Sequence, residues 1–391
     1  MDSVAESCFG VAPAPSPLDH LQFQSRFMAT LNFAIIGCGS ITLQNHLPGL
    51  AMCPEVRLVA LCDADPVALE RARQQTGVAI ASTRYEDVVA RDDVHAVIIA
   101  TPNYLHAPIA LAAIAHGKHV LCEKPLALNA AEAWRMAQAA EAAGVRHMTA
   151  FTYRFVPAMR YLRYLVGRGE LGQVYHYRSC RLQDWGQRAL GWRQVKALAG
   201  TGELGDMLSH RIDFAHMLLG PMQRLVADLR TFTPVRQGQP NDTDDWVAIL
   251  ARFRNGATGV LESSKLATGR NESWRSLDAV ELNGSERTFY FTTTSWNQLQ
   301  VGRPGGPGLE PLPVPKEFWR WPGSPRDPER GDPLVTFRYD QVWEFVDAIR
   351  NQRPCDATFH DGARVQTVMD AALRSAQTGQ WVELEPDPPA R

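Results

Sequence analysis

Short apolar runs alternate with helical segments from about residue 30 to residue 151, and that alternation leaves the chain few folds to choose from. Asn32-Phe33-Ala34-Ile35-Ile36 reads as a buried first strand. Gly37-Cys38-Gly39-Ser40-Ile41-Thr42 follows at once and opens a helix, a G-x-G-x-x-T form of the dinucleotide fingerprint. The first glycine permits the tight turn. The second lets backbone approach a pyrophosphate, which rests beside Ser40 and Ile41 on the helix N-terminus. Thr42 stands in place of a third glycine, so looser helix–strand packing is expected there.

Val56 to Cys62 is a second buried strand and ends in Asp63. An acid there accepts from ribose hydroxyls and repels a 2′-phosphate, which favours NAD over NADP. Its other reading is a helix N-cap, a role that Asp65, before Pro66, could fill instead. Helices are expected over Pro66–Gln75 and Tyr85–Ala90, and a fourth strand over Ala96–Ala100, closed by Thr101-Pro102-Asn103. A helix to Ala115, a strand His119–Cys122, a helix Asn129–Ala143 and a strand His147–Phe151 complete six strands. The expectation is a doubly wound parallel sheet.

The strand His119–Cys122 ends in Glu123-Lys124-Pro125. Ligands of an open α/β sheet lie just outside the carboxyl ends of its strands, so a lysine there reaches a cofactor more naturally than bulk water. The bland reading is a solvated Glu/Lys pair.

After Phe155 the pattern changes to α+β. A helix over Pro157–Val166, a strand over Val174–Leu182, and hairpin signals at Asn255-Gly256 and Asn283-Gly284 imply an open, mainly antiparallel sheet. Gly302–Pro333 reads as a long loop, and helices over Thr336–Arg350 and Asp361–Gln377 close the chain. From about Gly205 a helix runs to Leu219. Asp206, His210 and Asp213 share its polar face at i, i+4, i+7, so Asp206 and His210 can touch. The bland reading is a solvated face. Trp185, and Trp192 with Arg193, suit a sugar: flat apolar faces for C–H surfaces, charged donors for hydroxyls.

The 391 residues divide into a loose N-terminal extension (1–28), a dinucleotide-binding domain (29–150) and a substrate and oligomerisation domain (151–391). Residues 1 to 27 are Pro-, Ser- and Ala-rich without a basic segment or long apolar core, so no secretory signal is read there, and Met28-Ala29-Thr30 is a candidate start. A net charge of −2 without a Lys/Arg block argues against nucleic acid, and no apolar run is long enough for a membrane span. Cys8, Cys38, Cys53, Cys62, Cys122, Cys180 and Cys355 are dispersed, which argues for free thiols in the cytoplasm and against a metal site.

Gly37-x-Gly39, Thr101-Pro102-Asn103-x-x-His106, Glu123-Lys124-Pro125 and Tyr153-Arg154-Phe155, in this order, resemble the Gfo/Idh/MocA oxidoreductases over residues 30 to 385. The resemblance implies that Lys124 is the active-site lysine and that Thr101, Pro102, Asn103 and His106 line the nicotinamide side. It implies that Asp206 and His210 form the active-site floor, and that the outer sheet face makes a homodimer or homotetramer. Tyr153 and Arg154 join Trp185, Trp192 and Arg193 as expected substrate contacts, and Glu123 joins the cofactor set. Trp192-Arg193 before a Gly-rich turn resembles the branch acting on anhydrosugars and glycosides.

The expected reaction is NAD-dependent hydride transfer at a secondary hydroxyl of a sugar, anhydrosugar, glycoside or cyclitol. Either Lys124 or His210 takes the proton and the other hydrogen-bonds the same oxygen. Two alternatives stand beside it: a hydrolase that uses bound NAD without net redox, and a non-catalytic cofactor-sensing regulator.

Overall fold

The structure is a computed structural model that describes residues 30–272 and 276–388. The expectations for the N-terminal extension therefore lie outside the described residues. Six strands form a first sheet: β1 (Leu31–Ile36), β2 (Val56–Cys62), β3 (Ile80–Ser82), β4 (Ala96–Ile99), β5 (His119–Cys122) and β6 (His147–Thr149). They are parallel, in the order β3-β2-β1-β4-β5-β6. The chain leaves β1 for β2 on one side and returns to β4 on the other. That reversal opens a crevice at the carboxyl ends of β1 and β4, the place where such sheets bind ligands. Ala34, Ile36, Val97 and Ile99 face one layer of the core, and Phe33, Ile35, Ala96 and Ile98 the other, as the two-residue period of buried strands requires.

The second half is a nine-stranded sheet. Its strands are β7 (Val174–Leu182), β8 (Met222–Arg230), β11 (Trp246–Phe253), β12 (Thr258–Ser264), β13 (Leu277–Gly284), β14 (Thr288–Thr292), β15 (Gln298–Gly302), β16 (Glu310–Pro313) and β17 (Val382–Glu383), while β9 (Val235–Arg236) and β10 (Gln239–Pro240) pair separately. The order is β16-β15-β14-β13-β7-β12-β11-β8-β17. All pairs are antiparallel except β7 with β12. β7, β12 and β14 run in the same direction, so their carboxyl ends meet at one edge.

Three local expectations need correction. The hairpin at Asn283-Gly284 turns one residue later, since Gly284 belongs to β13 and its N–H bonds Arg287 O at 2.9 Å. Glycine is required there by close approach, because a Cβ would stand 2.2 Å from Leu171 O. The expected loop Gly302–Pro333 contains β16. The last long helices are Tyr339–Arg350 and Phe359–Thr378, and both pack back on the first half. Phe345 meets Phe33 edge-on at 6.0 Å, and Trp134 Nε1 donates to Thr367 Oγ1 at 3.1 Å. Among the described residues no helix is long and apolar enough to cross a membrane.

Candidate active site

Between the two halves lies a cavity of about 1170 Å³. Its first wall is the fingerprint turn. Gly37 has φ +102°, and a Cβ there would stand 2.4 Å from Ala100 O, because β1 and β4 emerge side by side at the crevice. A Cβ on Gly39 meets nothing within 4 Å, so this position faces open cavity. The two glycines predict different failures. Gly37→Ala destabilises the fold through backbone strain. Gly39→Val leaves thermal stability nearly unchanged while weakening NAD binding, as titration of nicotinamide fluorescence checks. Equal affinity in Gly39→Val would refute the placement of a dinucleotide on this turn.

Thr42 brings a finding that sequence spacing did not indicate. Its side chain is fully buried rather than loosely packed, and its hydroxyl donates to Gly37 O at 2.6 Å. The helix it opens is a π-turn, Thr42–His46, that passes into an α-turn, Leu47–Ala51. The wide turn admits the threonine and carries His46 inward, where His46 Nε2 lies 2.9 Å from Glu123 Oε1. Burial opposes ionisation of Glu123, but the His46 bond and the charge of Lys124 outweigh it and hold the carboxyl below its usual range. Glu123 thus lines the cavity with its carboxylate committed to His46, a residue for which the sequence carried no signal beyond a histidine after the fingerprint.

Asp63 lines the cavity at the end of β2. Its Oδ2 accepts from Cys38 N–H at 2.6 Å and its Oδ1 from Asp65 N–H at 2.8 Å, which ties the Gly37–Gly39 turn to the second strand. The helix cap is Asp65, whose side chain accepts from Val67 N–H. Ser40, Ile41, Thr101, Pro102 and Asn103 also line the cavity, although Asn103 spends its Nδ2 on Ala199 O at 2.9 Å. An open glycine, a helix start and an acid at the second strand end fit a dinucleotide.

His106 does not line the cavity. It is fully buried, with Nδ1 2.8 Å from Pro125 O and Nε2 3.0 Å from Thr101 O, and so clamps the loops after β4 and β5 together. Arg154 is also turned away. It forms a two-pronged pair with Asp213, at 2.8 Å and 2.5 Å, and a further ion pair with Asp361 at 3.5 Å. Neither of these two residues, expected at the nicotinamide and the substrate, lines the cavity; both side chains bond protein groups.

Charged groups from both halves meet at Lys124, after β5. Its Nζ donates to Asp206 Oδ1 at 2.9 Å and to Asp206 O at 2.6 Å. Burial opposes ionisation of Asp206, but Lys124, then Lys265 and Arg193, hold it far below the usual carboxylate range. The expected Asp206–His210 contact is absent among the described hydrogen bonds. Residues Leu204–Leu208 form a second π-turn and the α-helix starts only at Ser209; Asp206 nonetheless lies near enough to favour the charged form of His210, against burial and Lys124. The Asp244 carboxylate fixes the entry to that turn, accepting from Gly202 N–H at 2.6 Å and Leu204 N–H at 2.8 Å.

His210 lines the same cavity, and Tyr153 meets it edge-on at 4.7 Å. Burial, then Lys124 and Arg211, push its pKa well below the ordinary histidine value, so the imidazole is neutral at physiological pH. Trp185, Trp192 and Arg193 line the cavity as well.

The sequence did not single out Gln183, Thr201, Lys265, Thr293 or Arg338, all of which line this cavity. Gln183, Lys265 and Thr293 follow directly on β7, β12 and β14, so the shared direction of those strands collects them. The cavity is rich in buried polar atoms without a protein partner, including Thr201 Oγ1, Asp206 Oδ2, His210 Nδ1, Trp185 Nε1 and Arg338 Nε. Leaving such atoms unpaired costs about 1–3 kcal/mol each, which a polyhydroxylated ligand would offset.

Glu203 stands behind this wall, fully buried, 3.7 Å from Lys265. Burial pushes its carboxyl up to about 8, with Lys265 opposing. A carboxyl raised on folding stabilises at low pH and loses that contribution as pH rises through its folded value. Unfolding free energy should therefore fall between pH 4.5 and about 8, relative to Glu203→Gln. The slope is at most about 1.4 kcal/mol per pH unit. A difference between the two proteins that stays constant with pH in urea titrations would contradict this.

Residues 31–151 match the family model described as the oxidoreductase family, NAD-binding Rossmann fold, and residues 159–290 match the GFO/IDH/MocA C-terminal domain. The chain is 30% identical to levoglucosan dehydrogenase of Pseudarthrobacter phenanthrenivorans, over 91% of this chain and 99% of that protein. It is 30% identical to D-xylose 1-dehydrogenase (NADP(+)) 2 of Haloferax volcanii, over 90% and 99%. A solved structure of levoglucosan dehydrogenase in complex with NADH and levoglucosan superposes with a TM-score of 0.83 at 31% identity, covering 91% of this chain and 100% of that one.

Proposed function

The chain belongs to the Gfo/Idh/MocA oxidoreductases, and from that premise we propose that it transfers hydride between NAD and a secondary hydroxyl of a sugar, anhydrosugar, glycoside or cyclitol. It is an enzyme of an NAD-binding family whose relatives include sugar and polyol dehydrogenases. The observation that carries the proposal is the pairing of Lys124, from the first half, with Asp206, from the second, in the cavity that Gly39 and His210 also line.

The cofactor supplies the hydride acceptor when bound. The alcohol proton needs a base that is unprotonated at working pH. His210 meets that requirement, because burial and the neighbouring cations keep it neutral. Lys124 is ion-paired to Asp206, which holds the amine at the cavity wall. In that role it donates a hydrogen bond to the alcohol oxygen and stabilises the negative charge that develops there. Trp185 and Trp192 offer apolar faces, and the unpartnered Thr201, Asp206 and Trp185 atoms offer bonds to hydroxyls.

The direct test incubates the purified protein with NAD and a panel of cyclitols, aldoses, anhydrosugars and glycosides, following reduced nicotinamide absorbance. Reduced cofactor accumulating with one member supports the dehydrogenase. A cleaved glycoside without reduced cofactor would instead indicate redox-assisted hydrolysis.

The reading of a homodimer or homotetramer is supported by the outer face of the large sheet. Leu250 is 50% exposed there, between its strand partners Val226 and Val260. Light scattering that gives a monomer would remove it.

A further inference from the structure

Charge is unbalanced around the proposed reacting centre. Lys124 has Asp206, and Arg188 has Glu272 at 2.8 Å. Arg193 and Arg338 line the same cavity, and among the described residues no carboxylate lies within ion-pair distance of either. Arg193 rests on the Trp192 ring at 4.4 Å. Arg338 lies 5.7 Å from the rings of both Tyr153 and Phe337, with its Nε buried and unpartnered.

Lys265 adds a third cation, one that also acts on Asp206. Among the described residues its one carboxylate within ion-pair distance is Glu203, 3.7 Å away and fully buried, where burial pushes the carboxyl up to about 8. Ser263 Oγ lies 3.0 Å from Arg181 O and 2.5 Å from Glu203 Oε1. Ser263 Oγ–H donates to Glu203 Oε1. Lys265 faces the cavity beside an acid whose burial favours the neutral form, 5.6 Å from the Trp185 ring.

These cations sit at the reacting end rather than at the fingerprint turn. Lys265 and Arg193 both favour ionisation of Asp206, and Arg338 disfavours protonation of His210. Lys265 is buried and Arg338 half-buried, and a desolvated cation without full counter-charge is unfavourable; Arg193 is exposed and adds a guanidinium fork that, like that of Arg338, matches carboxylate and phosphate oxygens.

We propose that the natural substrate is an anionic sugar, whose carboxylate or phosphate group is held by Lys265, Arg193 and Arg338. The inference rests on the oxidoreductase reading and narrows its substrate class.

The test compares a hexuronate, a hexose phosphate and the parent neutral hexose at equal ionic strength, using the full chain. Two readouts are taken: kcat/KM with NAD, and calorimetric affinity for the NADH-bound protein. The anionic sugar should lead its neutral parent by about tenfold or more, since charge-assisted bonds exceed neutral ones by that order. The lead should shrink as salt is raised. The uronate and phosphate arms identify the anion. In Lys265→Met and Arg338→Gln the anionic-to-neutral ratio should fall toward one.

A neutral sugar preferred or equalled in both readouts overturns the inference, as does a ratio that neither variant changes. Neutral sugars oxidised while anionic ones are inert would sink this inference and leave the dehydrogenase reading standing. Tight binding of an anionic sugar without turnover of any sugar would do the reverse.

Discussion

Lys124→Met should lower kcat/KM by about 10²–10⁴-fold while NAD still binds. The side chain is the point where the two halves of the site meet, donating to both the carboxylate and the backbone carbonyl of Asp206. Methionine keeps the length and the apolar stem but removes the charge and every donor. It leaves Asp206, held far below the usual carboxylate range chiefly by Lys124, without its main partner. Asp206→Asn should reproduce part of the loss, because the lysine then keeps its place with a weaker anchor. The double variant should be far less than additive, since the two residues act as a unit. His210→Gln separates the roles. With His210 as proton acceptor, its loss falls on kcat, and the wild-type acid limb lies well below the ordinary histidine range. Near-wild-type turnover of Lys124→Met with bound NAD would end the assignment.

Arg154→Met should destabilise the fold by about 3–5 kcal/mol, the usual result of removing one partner from a buried ion pair. Asp213 is fully buried, and burial pushes its carboxyl up to about 6 even against Arg154. Without the guanidinium it favours the protonated form still more. The deficit should therefore be largest above pH 6 and shrink toward pH 5, because a raised carboxyl is stabilising at low pH. Asp213→Asn in the same chain should recover part of the loss. At a temperature where the variant remains folded, KM should be close to wild type, since Arg154 does not line the cavity. A raised KM without lost stability would instead make Arg154 a substrate contact, as the Tyr153-Arg154-Phe155 resemblance implied.

His106 and Arg154 show where sequence reasoning stops. Both lie in motifs that carry the family resemblance, and both serve it by bracing loops rather than by touching the cavity. The partner of Asp206 shows the same limit for another reason. The four-residue spacing points to His210, but the Asp206 carboxylate bonds Lys124, 82 positions away, and the π-turn Leu204–Leu208 that carries it has no mark in local composition. Lys265, Thr293 and Arg338 had no motif at all.

By itself the sequence determined the elements whose cause is local. Strand and helix periodicity, the Gly37–Gly39 turn, Asp63 at one strand end and Lys124 at another follow from spacing and chain stereochemistry, and the doubly wound sheet follows from their order. Tertiary structure alone decided which charges face each other. The parallel run of β7 and β12, with β14 in the same direction, brings chain-distant residues to one edge, and burial there sets which carboxyls stay neutral. Such neighbours depend on sheet order and desolvation, which no stretch of adjacent residues encodes.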